Sequence, residues 1–325
     1  MTNVSTVRGD VPASGLGRTL MHEHLIAVSA ALANDRPELV YPAGKAAALD
    51  QLVAELAQVK DAGIDTIVDL SVYGHDRDVP ALVEINARVD LNLVVATGFY
   101  TDDEPSRTFY YRQFMARRTA GRNVFAEIFI SDLTEGIAGT GVRAGILKCV
   151  TGPAGLTRSV TDLMVGCAIA AKETGVPIST HSHPADRNGL DQLALLEKEG
   201  VDLTRVIIGH SGDTDDLTYL KRLMDTGAVI GCDRFDMAVP GAPDQEGRAR
   251  VVAALCKQGY ADRIVLSHDK MMYTDWFGDN PLPTPTVPVY VSTHVLPRLR
   301  ELGVSDPELD QMMVRTPARL LGRLG

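Results

Sequence analysis

Val176-Pro-Ile-Ser-Thr-His181 and Arg205-Val-Ile-Ile-Gly-His210 are two short apolar runs, each ending in a histidine, with an amphipathic segment over 189–199 between them. Apolar, β-branched runs of this length read as strands buried on both faces, the kind found in parallel sheets joined by crossover helices. The stretch therefore spells one strand–helix–strand unit with its polar residues placed where the strands stop. The unit recurs in both directions. Toward the N-terminus lie Arg18-Thr-Leu-Met-His-Glu-His-Leu25, Ile64-Asp-Thr-Ile-Val-Asp-Leu70, Leu91-Asn-Leu-Val-Val-Ala-Thr97 and Arg143-Ala-Gly-Ile-Leu-Lys-Cys-Val150. Toward the C-terminus lie Ala228-Val-Ile-Gly-Cys232 and Arg263-Ile-Val-Leu-Ser-His-Asp269. Helical patterns cover 45–62 (closed by Gly63), 78–89, 122–137, 157–174, 214–226 and 244–259. Eight strands alternating with helices over 325 residues predict an α/β fold, a closed (β/α)8 TIM barrel, as a single domain over 1–325. An open doubly wound sheet is the runner-up. Against it, no glycine-rich turn follows the first strand, and Gly139-Thr-Gly-Val-Arg-Ala144 precedes a strand where a dinucleotide fingerprint should follow one.

The remaining segments frame this core. The polar opening reads as a hairpin around Gly9-Asp10, Thr101 to Arg112 as an aromatic loop, and 289–302 and 306–321 as terminal helices. Residues 270–289, with Met271, Trp276, Phe277, Pro281, Pro283, Pro285 and Pro288, read as a proline-rich loop serving as a lid or pocket wall. Hydrophobic residues make up 45%, charged residues 23%, and mean hydropathy is +0.00, as in an ordinary globular protein. A net charge of -10 without a basic tail argues against nucleic acid as a partner. Cys149, Cys167, Cys232 and Cys256 sit far apart in apolar surroundings, so neither a disulfide framework nor a Cys-x-x-Cys site is expected. No signal-peptide pattern and no apolar run long enough to span a membrane is present, which makes a cytoplasmic location the expectation.

In a barrel of this kind the active site lies at the C-terminal ends of the strands. His22 and His24 flank Glu23 on the first strand, and alternation turns the two imidazoles to one face and the carboxylate to the other. Adding Lys148, His181, His210 and Asp269 from later strand ends collects four imidazoles, one carboxylate and one lysine. Such a set suits two divalent ions such as Zn, Co, Mn or Fe. An ammonium repels a metal, but a lysine in an otherwise apolar strand loses its charge readily and becomes open to ligation or modification. His75 and His294 have no such setting and read as solvated or structural.

The chain resembles the amidohydrolase superfamily and, within it, the phosphotriesterase-like lactonases. The motifs that carry this are Arg18 to His24, Asp65-Thr-Ile-Val-Asp69, Val95-Ala-Thr-Gly-Phe-Tyr100, Ala144-Gly-Ile-Leu-Lys-Cys149, Ile178-Ser-Thr-His181, Ile208-Gly-His-Ser-Gly-Asp213, Asp233-Arg-Phe235 and Leu266-Ser-His-Asp269. The resemblance implies that His22, His24 and Asp269 hold a buried metal ion and that His181 and His210 hold a more exposed one. Lys148, carboxylated by carbon dioxide, then bridges both ions together with a hydroxide. It implies Asp269 as the proton carrier beside that hydroxide, and Tyr100 and Arg234 beside the pocket, orienting the ester and supporting its developing charge. Of the neighbours His268 and Asp269, only one can face the interior, and the resemblance selects Asp269. It selects His181 over His183 in the same way, and Glu23 is expected among the supports. The implied substrates are lactones, N-acyl-homoserine lactones foremost, with organophosphate triesters as promiscuous ones. Other esters, amides or phosphoesters, and a non-catalytic small-molecule binder, are the alternatives; a homodimer is the expected assembly. Lys270-Met271-Met272 departs from the lactonases, while Trp276 matches them, and Met271, Met272, Trp276 and Phe277 are expected to line an apolar channel.

Overall fold

The computed structural model describes residues 2–101, 103–278 and 287–323. Its strands among these residues are β1 (Asn3–Thr6), β2 (Gly9–Pro12), β3 (Thr19–Ala27), β4 (Thr66–Asp69), β5 (Asn92–Gly98), β6 (Ile146–Val150), β7 (Ile178–His181), β8 (Val206–Ile208), β9 (Val229–Cys232), β10 (Ile264–Leu266) and β11 (Met271–Thr274). Strands β3 to β10 lie side by side in chain order, every neighbouring pair parallel. β11 continues from β10 through Ser267–Lys270 and pairs with β3, so the last strand meets the first and the sheet closes as a TIM barrel. The seam is hydrogen-bonded: Asp269 N donates to His22 O (3.0 Å) and His24 N to Lys270 O (2.8 Å).

Alternation along each strand builds two cores. Met21, Val68, Val94, Ala96, Ile146, Ile207, Val229 and Val265 fill the barrel, and Val4, Leu16, Leu320 and Leu321 plug its N-terminal end. Leu20, Ile67, Leu93, Leu147, Ile178, Ile208, Ile230 and Ile264 face outward onto the helices. Those helices start on side-chain caps, Asp78, Thr157, Asp216 and Asp244 each accepting from a backbone N–H of the first turn. No helix among the described residues is long and apolar enough to cross a membrane.

Three segments differ from the sequence reading. The hairpin turns at Val7-Arg8, and Gly9-Asp10 opens its second strand. Residues 107 onward form a helix, Arg107–Ala120, ended by Gly121 at φ 63 where the sequence suggests an aromatic loop up to Arg112. Its buried residue is Gln113, which accepts from Val124 N (2.8 Å), while Tyr110, Tyr111, Phe114 and Met115 are exposed. Apolar residues on the solvent side erase the periodicity by which such a helix is recognised. Within 270–289, Met271–Thr274 is a strand, which turns Met272 into the outer core and Met271 toward the barrel mouth. Pro281, Pro283 and Pro285 lie outside the described residues.

Glu23 fastens the seam from the helix side. It is fully buried; its Oε1 accepts from Ser267 Oγ (2.9 Å), His268 N (3.0 Å) and His268 Nδ1 (2.7 Å), and its Oε2 from Lys270 N (2.9 Å). A Glu23→Gln substitution puts an amide N–H₂ where only acceptors fit, so buried donors lose their partner. We expect a loss of about 2–4 kcal/mol of unfolding free energy, read from urea denaturation. A change below roughly 0.5 kcal/mol, the range of an ordinary surface substitution, contradicts this role.

Candidate metal centre

Residues of five strand ends meet above the interior core. A register shift between Leu20 and Glu23 in the pairing of β3 with β4 breaks strict alternation, so that His22 faces inward although Met21 beside it also does. His22 Nε2 and His24 Nε2 each lie 3.2 Å from Asp269 Oδ1. Lys148 follows Ile146 on the inner face of β6, with Nζ 3.1 Å from His22 Nε2. His181 Nδ1 lies 2.8 Å from His210 Nε2. All six residues expected to bind metal are therefore together, and ligand atoms of His22, His210 and Asp269 fall within 4.8 Å of one another. His210 and Asp269 both adopt left-handed backbone conformations, φ 60 and 57. That strain, characteristic of functional positions, aims each side chain across the barrel as its strand ends.

Asp233 is the residue the sequence reading overlooked. Its Oδ2 accepts from His22 Nδ1 (2.8 Å), and its Oδ1 from His210 Nδ1 (3.0 Å) and His210 N (2.8 Å). Burial alone would raise this carboxyl, yet His210 and His22 hold it far below the usual carboxylate range. One ionised carboxylate thus fixes both imidazoles as Nδ1–H tautomers and leaves each Nε2 unprotonated, an acceptor turned to the cluster. Two signals point to it: a position immediately after the β9 strand end, and Gly231 before it, where a Cβ would come within 2.6 Å of Asp233 Oδ2.

The electrostatics match a cation site. Burial, with the charges of Lys148 and Arg234 adding to it, keeps the imidazoles neutral: His22 is lowered, His181 lies well below the ordinary histidine value, and His210 is brought down to about 3. Burial likewise brings Lys148 down to about 8, against the opposing pull of Asp269 and Asp233. Asp269, which burial alone would raise, is held well below the carboxylate range by His22, His210, His24 and Arg234. His22 Nε2, bare because Nδ1 serves Asp233, therefore faces an ionised Asp269 oxygen lone pair to lone pair at 3.2 Å. Such a contact calls for positive charge beside the atoms, the part that Lys148 Nζ, 3.1 Å from the same Nε2, plays here. The set of imidazole nitrogens, carboxylate and readily neutralised amine fits borderline divalent ions.

Arg234 pairs with neither Asp233 nor Asp236. Its Nε binds Asp269 Oδ2 (2.9 Å) and its Nη1 binds Asp213 Oδ2 (2.9 Å), while buried Arg248 holds the other Asp213 oxygen (2.8 Å). Asp236 instead accepts from Lys270 Nζ (3.0 Å). Tyr100 stands at the end of β5, its ring 5.7 Å from that of His181. His268, as its parity with Asp269 requires, turns to the helices, donating to Glu23 and accepting from Val291 N (2.8 Å). His183 is half-buried at 5.0 Å from the His181 ring and does not line the cavity described next. His294 stacks on Tyr290 far from the centre. His75, read as solvated or structural, is buried beside His24 at 4.6 Å between ring centroids. It belongs to the site's wall, not to solvent. Its distance from a strand end in sequence, five residues beyond Leu70 on a glycine turn, hid it.

A cavity of about 330 Å³ opens over this cluster. His22, His24, Lys148, His181 and Asp269 form its polar floor, and Met237, Ala238, Met271 and Phe277 supply apolar walls beside Tyr100 and Arg234. Trp276 sits at the rim, 41% exposed, and Met272 is buried away from the opening.

Comparison with known proteins gives consistent results. The profile of the phosphotriesterase family matches residues 2–321. A "Phosphotriesterase homology protein" of Mycobacterium tuberculosis is 41% identical over 333 aligned positions, covering 100% of this chain and 99% of that protein. An "Aryldialkylphosphatase" of Saccharolobus solfataricus is 32% identical, covering 96% of this chain and 97% of the relative. The solved structure of the phosphotriesterase from Mycobacterium tuberculosis superposes with a TM-score of 0.90 at 37% identity, over 99% of both chains.

Proposed function

This chain belongs to the phosphotriesterase family of hydrolases, and from that premise we propose that it is a binuclear metal-dependent lactonase, acting on N-acyl-homoserine lactones, with organophosphate triesters as secondary substrates. The observation that carries the reading is the cavity itself: a floor of lone-pair donors beneath walls of methionine and phenylalanine. A polar reacting ring on the floor and an apolar acyl chain along the wall use both surfaces. The relative named aryldialkylphosphatase supports the secondary activity, because tetrahedral phosphorus resembles the adduct of an attacked carbonyl.

Two divalent ions held by His22, His24, Asp269, His181, His210 and a carboxylated Lys148 would supply a nucleophilic oxygen at neutral pH and Lewis acidity toward the carbonyl or phosphoryl oxygen. The protein's own groups do the rest. Asp269, ionised and pointed at the floor, takes the proton released on attack and returns it to the leaving alkoxide. Arg234 grips Asp269 Oδ2, which leaves Oδ1 turned toward His22 and His24, and its charge supports the oxygen that becomes negative. Tyr100 limits how the ring can lie above His181. Asp233 keeps His22 and His210 in the ligating tautomer throughout.

Hydrolysis of N-acyl-homoserine lactones of graded chain length, compared with paraoxon, tests the reading. We expect kcat/KM to rise with acyl length by up to about fourfold per methylene until the wall is covered. Paraoxon should be the slower substrate. Paraoxon cleavage without lactone turnover would make the chain a phosphotriesterase first, and turnover of amides alone would overturn both activities.

A further inference from the structure

His75 has no part in the chemistry assigned to Asp269, Arg234 and Tyr100, yet it is built into the cavity wall. Its ring centroid is 4.6 Å from that of His24 on the floor, 4.1 Å from Tyr100, and 5.5 Å from Trp276 at the rim, with the indole nearly parallel at 10°. The imidazole is thus one step from the metal ligands toward the mouth. The loop holding it is tightly set: Gly74, at φ 90, brings its backbone so close to Tyr100 that a Cβ would lie 2.1 Å from Tyr100 O. Burial, with the Lys148 charge adding to it, holds the ring well below the ordinary histidine value. Its Nδ1 accepts from Val72 N at 3.4 Å, which places the proton on Nε2. That Nε2 has no hydrogen-bond partner among the described residues, and the imidazole lines the cavity. A neutral N–H donor without a partner therefore faces the cavity.

We infer that His75 is a specificity-determining residue whose Nε2–H donates to a second acceptor oxygen of the substrate, one amide unit from the scissile carbonyl. In an N-acylamino lactone the amide carbon lies within roughly 4 Å of the ring carbonyl carbon, comparable with the step from His24 to His75. A γ-alkyl lactone of equal length has no oxygen there and leaves the donor unsatisfied, the situation in which polar sites discriminate most strongly. This inference rests on the lactonase reading.

The experiment compares wild type with His75→Phe, which keeps a ring against Trp276 but no donor, and with His75→Gln, which keeps a donor. The first readout is the ratio of kcat/KM for the N-acylamino lactone to that for the γ-alkyl lactone, on metal-loaded protein. The second is the ratio of Kd for the corresponding non-hydrolysable lactams, followed by fluorescence of Trp276, the one tryptophan of the chain and the ring stacked on His75. Preference for the acylamino ligand should fall roughly three- to tenfold in His75→Phe by both measures and return in part in His75→Gln. A ratio unchanged in His75→Phe, or lowered equally by both variants, overturns the role of His75. Amide preference in lactam binding without lactone turnover by the wild type overturns the lactonase reading alone. Absence of binding of either lactam by the wild type overturns both.

Discussion

We expect Asp269→Asn to lower kcat/KM by roughly 10²–10⁴-fold, the range of a lost proton-transfer group, while leaving the barrel intact. The substitution is close to isosteric, and asparagine tolerates the left-handed backbone at φ 57 as well as aspartate does, so no strain is added. Arg234 keeps its bond to Asp213 and is not left as a lone buried charge. What is lost is negative charge on the oxygen 3.2 Å from both His22 Nε2 and His24 Nε2, and with it the basic site for the proton. Circular dichroism and a melting temperature within roughly 4 °C of wild type check the fold, and elemental analysis checks the metal. A variant that retains its metal and near-native rates would falsify the proton-carrier role. Low rates with low metal content, cured by added metal, would instead make Asp269 a ligand and no more.

The barrel was legible because its strands are short, β-branched and separated by helices with clear caps, so pattern and tertiary demand agree at each step. His181, His210, Lys148 and Asp269 were legible for a simple reason: each interrupts or ends an apolar run, where a polar side chain has no place unless the site uses it. His22 shows the limit of that logic. Strict alternation from Leu20 would have turned it outward, and only the irregular register between Leu20 and Glu23, which no pattern announces, brings it in. Helix Arg107–Ala120 failed for the opposite cause, since its exposed face is aromatic and its buried residue polar. His75 and Asp233 were missed because they act across the fold. His75 reaches the cavity from a loop turned by Gly74, and Asp233 is defined by imidazoles 211 and 23 residues away in the chain. Contacts of that range are created by closing the barrel, and periodicity does not reveal them even where, as for Asp233, a position just after a strand marks the residue.

Asp233→Asn tests that closure directly, and we expect a large loss although Asp233 is not itself among the proposed ligands. Asn offers one acceptor oxygen and one amide donor. If the oxygen keeps His210 N and Nδ1, as Oδ1 does at 2.8 and 3.0 Å, the amide N–H₂ faces His22 Nδ1–H, donor against donor. His22 escapes by moving its proton to Nε2, and the lone pair aimed at the floor disappears. Burial prevents the alternative, a charged imidazole, since His22 is already pushed below its ordinary value. Loss of such an orienting carboxylate typically weakens metal binding by 10- to 100-fold, and the wrong tautomer carries its own cost in rate. We therefore expect metal affinity to fall by about that factor and kcat/KM by roughly 10²-fold or more at limiting metal, with partial recovery as metal is raised. Imidazole ¹⁵N shifts separate this account from general damage: His22 should change from the Nδ1–H to the Nε2–H form while His210 does not. An Asp233→Asn protein with wild-type metal affinity and both histidines still protonated on Nδ1 would show that the tautomers are set by something other than this carboxylate.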